Sequence, residues 1–177
     1  MNKSALTSIN SKKLPRAHKL LDNIKVREAT GGITVGKDFI IDHGCGRYIK
    51  HIADHANKLG YGYLGWDEYW SDDAEGVKSY EWMKWNINDV FKFMRAVHIS
   101  SNVMNVITDD WELENYCTRI WNSMEKGEFL ILTVYEAPKP SKVQRAEPLA
   151  LYVEKLESYY GLETVRQTKG YAILRKW

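Results

Sequence analysis

A short apolar run, Phe39-Ile40-Ile41, closes on a carboxylate and two alternate glycines, Asp42-His43-Gly44-Cys45-Gly46. Few patterns restrict a chain more. Three apolar residues bounded by turn chemistry read as a strand buried on both faces, and the glycines let the backbone bend at its carboxyl end and approach a ligand that any Cβ would hold off. The next residues extend the unit. Ile52, Ala53, Ala56 and Leu59 form one helical stripe ended by Gly60, and Tyr61 to Trp66 is a second strand ending in Asp67. Strand, glycine turn, helix, strand is a βαβ unit, whose parallel strands require the crossover helix.

The remaining sequence continues the alternation. Arg16 to Lys25 carries Ala17, Leu20, Leu21 and Ile24 at helical spacing, and Thr30-Gly31-Gly32 and Gly36-Lys37-Asp38 bracket Ile33-Thr34-Val35. Lys78 to Trp85 reads as a strand, and Asn86-Ile87-Asn88-Asp89 as a turn capping a short helix, Val90 to Met94. Ala96 to Ser100 is another buried strand. Thr108 is expected to cap a helix with Leu113, Cys117, Ile120, Trp121 and Met124 inward, stopped at Lys126-Gly127. Glu128 to Tyr135 is the strongest strand signal, followed by a Pro/Lys-rich loop, Ala137 to Arg145. Pro148 opens a last helix ended by Gly161, and Leu162 to Gln167 with Tyr171 to Trp177 read as a hairpin. The expected fold class is α/β, a Rossmann-like, doubly wound and mostly parallel sheet with a C-terminal antiparallel hairpin. Residues 1–15 are expected to form a flexible arm and 16–177 a single domain.

Composition narrows the partners only loosely. Hydrophobic residues make up 44% of 177, enough for a substantial core, and 25 Lys+Arg against 23 Asp+Glu leave a net charge of +2, which does not by itself mark a nucleic-acid binder. No run approaches the roughly 20 apolar residues of a bilayer crossing, and the first ten residues are polar, so a cytoplasmic protein without membrane association is expected. Two cysteines, Cys45 and Cys117, read as reduced thiols rather than a disulfide framework or zinc site.

In such a sheet ligands bind at the carboxyl ends of the strands. Asp42 and Asp67 are 67 − 42 = 25 residues apart. That is close to the roughly 20-residue offset at which a second-strand carboxylate meets the ribose diol of an adenosine cofactor. A carboxylate suits the role because its oxygens accept both hydroxyl protons; the competing structural role is capping a loop. A dinucleotide enzyme usually adds a third glycine, where Tyr48 and Ile49 stand here, and no GxxxxGK[ST] phosphate loop is present.

Asp42-His43-Gly44-Cys45-Gly46 resembles the first motif of class I S-adenosylmethionine-dependent methyltransferases. Gly65-Trp66-Asp67-Glu68-Tyr69-Trp70 and Asn102-Val103-Met104-Asn105-Val106-Ile107 are similar to segments of a bacterial and phage group provisionally named methyltransferases, some linked to DNA phosphorothioation loci. Ala5 to Asn10 and Thr133 to Glu136 also fit that group. The resemblance implies S-adenosylmethionine as cofactor, bound by the motif that opens at Asp42, with Gly44, Cys45 and Gly46 at the methionine part, Asp67 on the ribose, and Asn86, Ile87 and Asn88 at the adenine. Ser101 to Asn105, with Ser101 and Asn102 among the cofactor's own contacts, would lie beside the transferable methyl. Asn102 and Asn105 would orient an amine or hydroxyl nucleophile, and Tyr135 and Glu136 would accept its proton. A Pro-Pro-aromatic motif of the kind found in DNA amino-methyltransferases is absent at Ser100 to Met104.

Lys139, Lys142 and Arg145 stand above the expected active face and would suit a phosphate-bearing substrate, so nucleic acid is one candidate acceptor and a small molecule the other; a solvated loop is the plainer alternative. His51 and His55 have the i, i+4 spacing of a zinc clamp but no third ligand nearby, and an ordinary helix face is expected. The leading expectation is a methyltransferase. A non-catalytic S-adenosylmethionine-binding or interaction protein on the same fold is the alternative, and a dehydrogenase the weaker rival. Acceptor and oligomeric state are left open by the sequence.

Overall fold

The computed structural model describes residues 14–31, 38–47, 49–91 and 94–177, with the side chains of 87–91 outside the description. The expected arm before residue 14, the Ile33–Val35 segment and Tyr48 lie outside the described residues. Six strands form one sheet: β1 (Asp38–His43), β2 (Gly62–Trp66), β3 (Arg95–Ser101), β4 (Phe129–Thr133), β5 (Leu162–Gln167) and β6 (Ala172–Lys176). Their order is β2-β1-β3-β4-β6-β5. The first four are parallel, and β6 runs antiparallel to both β4 and β5. The α/β sheet with its C-terminal hairpin is therefore as the alternation implies.

Helices cover both faces. α1 (Arg16–Leu20), α2 (Ile24–Ala29) and α3 (Lys50–Lys58) lie on one side, where Ala17, Leu21, Val26 and Ala56 pack with Ile40, Val97, Ile99 and Ile131. α4 (Tyr80–Phe91), α5 (Asp110–Ser123) and α6 (Leu149–Tyr160) lie on the other, over Ile41, Trp66, Leu130 and Leu174. β1 is an inner strand, between β2 and β3, and because alternate side chains point to opposite faces, Asp42 faces the first layer and His43 the second. No described helix is long and apolar enough to cross a membrane.

Local chemistry explains the element ends. α5 begins at Asp109, whose carboxylate accepts the Glu112 amide at 2.9 Å, so the cap is Asp109 and not Thr108. Its buried residues, Leu113, Tyr116, Cys117 and Ile120, fall at the helical period. α6 ends on Gly161 at φ 64°, the left-handed conformation glycine adopts without a Cβ penalty.

One segment departs from the sequence expectation. Residues 78–85 are not a strand, nor are 86–89 a turn; 80–91 form the single helix α4, and residues 92–93 of the helix expected at 90–94 lie outside the described residues. The aromatic content of Tyr80-Glu81-Trp82-Met83-Lys84-Trp85 favours a strand locally, but Tyr80 and Met83, three residues apart, are buried on one helical side against the core. Ser79 supports the start by accepting the Trp82 amide at 3.1 Å. Strand-like pairing survives only as a single bridge between Trp66 and Lys78.

Candidate functional site

The chain leaves β1 toward β2 on one side and later returns to β3 on the other. The carboxyl ends of β1 and β3 thus flank a topological switch point, where open α/β sheets bind ligands. A cleft of about 660 Å³ lies there, walled by the residues that follow β1, β2, β3 and β4 and by one side of α5.

At the β1–β2 end the glycine turn is locked to the second strand. The Gly44 and Cys45 amides both donate to the Trp66 carbonyl, at 2.9 and 3.2 Å. Gly44 sits at φ 71°, and a Cβ there would meet Val103 Cγ2 at 2.7 Å. Gly46 sits at φ 73° with nothing within 4 Å of where its Cβ would be, so this glycine opens onto free space. Its amide donates to Asp67 Oδ2 at 3.0 Å, while Asp67 Oδ1 accepts the Tyr69 amide at 2.9 Å. Burial pushes the Asp67 carboxyl up, and the Tyr69 and Gly46 amides oppose that without cancelling it. Cys45 is buried, its thiol pushed well up by burial, and Cys117 is buried with its thiol pushed up to about 12, so both are poor nucleophiles.

Two buried polar networks support this end from opposite faces of β1. On the α1 side, Asp42 Oδ2 pairs with His18 Nε2 at 2.8 Å and accepts the Tyr63 hydroxyl at 2.9 Å, which places Asp42 beneath the turn. On the α5 side, Trp66 Nε1 donates to His43 Nδ1 at 2.8 Å, His43 Nε2 lies 2.9 Å from His98 Nδ1, and His98 Nε2 lies 3.0 Å from Glu128 Oε2. Indole N–H can only donate, so His43 carries its proton on Nε2 and His98 on Nε2 in turn: one orientation satisfies the whole chain. A second proton on either ring would set donor against donor. Burial, reinforced by His98, holds the His43 imidazole well below its usual range. Glu128 also accepts the Ala96 and Glu125 amides, and these bonds with that of His98 outweigh burial and lower its carboxyl.

The β3–β4 end is built differently. Asn102 is in the left-handed region at φ 60°, unusual for a residue other than glycine, and its amide donates to the Thr133 carbonyl at 2.8 Å. Ser101 Oγ lies 3.1 Å from Thr133 Oγ1. Asn105, in the 3-10 turn Met104–Val106, is only 1% exposed, and its Oδ1 is buried without a hydrogen-bond partner among the described residues. Trp111 and Tyr135 line the cleft yet are 72% and 58% exposed.

The expected site residues therefore fall into distinct places. Gly44, Gly46, Asp67, Ser101, Asn102, Asn105 and Tyr135 share the cleft wall. Asn86 lies in α4 with its Nδ2 on the Trp82 carbonyl, and Ile87 and Asn88 follow it in the same helix; α4 supplies no described residue to the cleft. Glu136 accepts the Leu149 amide at 3.1 Å, supporting the start of α6 where Pro148 offers no side-chain cap. Lys139 and Lys142 are exposed on the loop outside the cleft wall. Arg145 straps that loop down: it donates to the Ile107 and Thr108 carbonyls and pairs with Asp110 at 2.7 Å and Glu147 at 3.2 Å, leaving Val143 and Gln144 on the wall. His55 turns to Asp22 at 3.4 Å.

Sequence reasoning missed the α5 contribution: Trp111, Glu112, Asn115, Tyr116 and Arg119 line the cleft. The signal was present, because 112, 115/116 and 119 recur at helical spacing beside the apolar stripe.

No family model matches the chain, and no curated protein does. Solved structures of similar fold do. A protein of Thermobifida fusca YX provisionally named a methyltransferase superposes with a TM-score of 0.53 at 11% identity, over 90% of this chain and 80% of its own. A DUF574 family protein from Streptomyces avermitilis MA-4680 gives 0.55 at 13% identity, over 92% and 83%. An S-adenosylmethionine-dependent methyltransferase from Clostridium acetobutylicum ATCC 824 gives 0.50 at 10%, over 94% and 93%. At these identities the likeness is one of fold.

Proposed function

We propose that residues 16–177 form one methyltransferase-like domain that binds S-adenosylmethionine and transfers its methyl group. The observation that carries this reading is the bond between the Gly46 amide and Asp67, which joins the glycine turn after β1 to the carboxylate after β2 at the switch point. The residues suit such a cofactor. Gly46 leaves open space where a side chain would intrude, and the cleft volume lies within the range of small-molecule sites, about 300–1,000 Å³. A carboxylate has about four acceptor positions, so Asp67 can hold the Gly46 and Tyr69 amides, with that of Trp70 beside them, and still accept a ribose hydroxyl. Gly44 and Gly46 would border the methionine part, and Ser101 and Asn102 the reacting end.

The cofactor supplies a methyl group made electrophilic by its sulfonium charge. What this chain adds is position: the strained Asn102 backbone and the 3-10 turn that follows hold Asn105 where it can orient a nucleophile. Tyr135, exposed after β4 on the cleft wall, can hydrogen-bond a bound nucleophile through its hydroxyl, and the proton leaves to solvent. A second reading, a cofactor binder without transferase activity, is favoured by one observation. Glu136, the carboxylate after β4, is engaged by the start of α6.

Calorimetry tests the cofactor and labelled-methyl transfer the activity. S-adenosylmethionine and S-adenosylhomocysteine should bind and NADH should not, and Asp67→Ala should weaken binding about tenfold or more, as expected for a lost charged hydrogen bond. Unchanged affinity in that variant would remove the ribose assignment. Binding without transfer to any nucleic-acid or small-molecule pool would favour the second reading.

A further inference from the structure

We infer that the β3–β4 end of the cleft takes a planar ring bearing an N–H donor, uncharged or cationic, and rejects anionic acceptors. This rests on the methyl-transfer reading only for the name acceptor; the binding site itself stands on three independent observations.

Asn105 comes first. It lines the cleft, is 1% exposed, and its Oδ1 is buried without a partner. A buried acceptor left unpaired costs about 1–3 kcal/mol, and native structures rarely leave one so. Its own neighbours do not satisfy it: the Asn105 carbonyl takes the Arg145 amide, and the side-chain oxygen takes no donor from the described residues. An N–H or O–H on a ligand supplies that donor, whereas a carboxylate or phosphate cannot.

The aromatic pair comes second. Trp111, from the first turn of α5, and Tyr135, just after β4, stand on the same cleft wall with most of their surface in solvent. Exposed rings at a cleft mouth present π faces, which favour another flat ring over an aliphatic chain.

Charge comes third. Asp67, Glu68 and Glu112 line the cleft against the single guanidinium of Arg119, which is itself paired with Glu68 at 3.1 Å. Arg145, next to Gln144 on the loop, is engaged by Asp110 and Glu147. A field of that sign disfavours a phosphate at the mouth and tolerates a neutral or protonated amine.

Three probes on one ring test the inference: 1-naphthylamine, 1-methylnaphthalene and 1-naphthoate, titrated calorimetrically into the protein with and without S-adenosylhomocysteine, beside a single-stranded oligonucleotide. The amine should bind about tenfold or more tighter than the methyl analogue, the margin of one buried hydrogen bond, and the anion weakest. Asn105→Leu should erase the amine's advantage while leaving thermal stability unchanged or higher, because it removes an unsatisfied polar atom. Trp111→Ala, at an exposed position, should weaken all three ring probes several-fold. Equal binding of amine and methyl analogue, or preference for the anion or the oligonucleotide, overturns the proposal. If S-adenosylhomocysteine fails to bind while the amine binds in an Asn105- and Trp111-dependent way, the cofactor reading falls and this one stands; the reverse result separates them the other way.

Discussion

The two ends of the cleft differ in what their polar groups bond to. At the β1–β2 end the Gly44, Cys45 and Gly46 amides and both Asp67 oxygens are paired within the protein, over two buried networks reaching His18 and Glu128. In those networks His18 Nδ1, on the far side from the cleft wall residues, is the one ring nitrogen left unpaired among the described residues. At the β3–β4 end one buried oxygen has no partner and two large rings face solvent. The first end is preorganised, its geometry over-determined before any ligand arrives; the second is completed by what binds. Substitutions should divide accordingly, costing stability at the first end and binding at the second.

The largest expected effect is at Glu128. Glu128→Ala removes the acceptor of His98 Nε2 and of the Ala96 and Glu125 amides together, and each buried donor left unpaired costs about 1–3 kcal/mol. Chemical denaturation should show it, with Glu128→Gln milder because a carbonyl oxygen remains. A result near zero would mean that the His43–His98 chain does not hold Trp66, and the contrast between the ends would lose its physical basis.

The glycines sharpen the comparison within one turn. Gly44→Ala forces a Cβ against Val103 at a left-handed backbone position, and strain of about 1–2 kcal/mol adds to overpacking of about 1–3 kcal/mol. Gly46→Ala carries only the backbone term, about 1–2 kcal/mol, since its Cβ meets nothing, but that Cβ enters the cleft and should reduce S-adenosylmethionine affinity sharply. Thermal melts and calorimetry on the pair separate a glycine kept for packing from one kept for the ligand.

Acid should loosen the preorganised end first. The folded His43 takes a proton less readily than the unfolded residue at its usual 6.5, so the unfolded chain gains protons first and stability falls as pH drops below about 6.5. Glu128, lowered from 4.5, adds to the loss further down, while Asp67, raised from 3.8, acts the opposite way because its protonation relieves the folded state. Urea midpoints from about pH 7.5 to about 5 should decline, and His43→Asn should flatten the decline even though it lowers the midpoint overall. A flat wild-type profile would show that the imidazole chain tolerates protonation.

How far the sequence spoke for each end follows from how each is made. Asp42, Gly44, Gly46 and Asp67 belong to one βαβ unit, where glycine conformation and strand-end position are local properties. Trp111 comes from α5, and Tyr135 and Gln144 from opposite ends of the loop after β4; they share a wall only because β3 and β4 pair in register. Residues 78–91 were misread for a related reason. A β-prone aromatic run became helix because Tyr80 and Met83 pack on Trp66's side of the sheet, a tertiary preference that no local window contains. Likewise Asn105 was visible as an amide near a strand end, but that its oxygen lacks a partner depends on the fold around it.

The smallest expected effect on stability is at Arg145, and it bears on the difference between the ends most directly. Its guanidinium ties the loop after β4 to the residues before α5, which keeps Val143 and Gln144 on the cleft wall. Its acidic partners are exposed, Asp110 almost fully, so screening leaves the ion pairs little stabilising energy although the guanidinium itself is mostly covered. Arg145→Ala should therefore shift the melting temperature by no more than a few degrees and leave S-adenosylmethionine affinity at the β1–β2 end unchanged. Ring probes at the β3–β4 end should bind several-fold more weakly, because the loop is no longer held against them. Lys139→Ala and Lys142→Ala, outside the wall, should change neither. If instead Arg145→Ala weakens the cofactor and the ring probes alike, the two ends respond as one unit, and the division between a preformed half and a ligand-completed half does not hold.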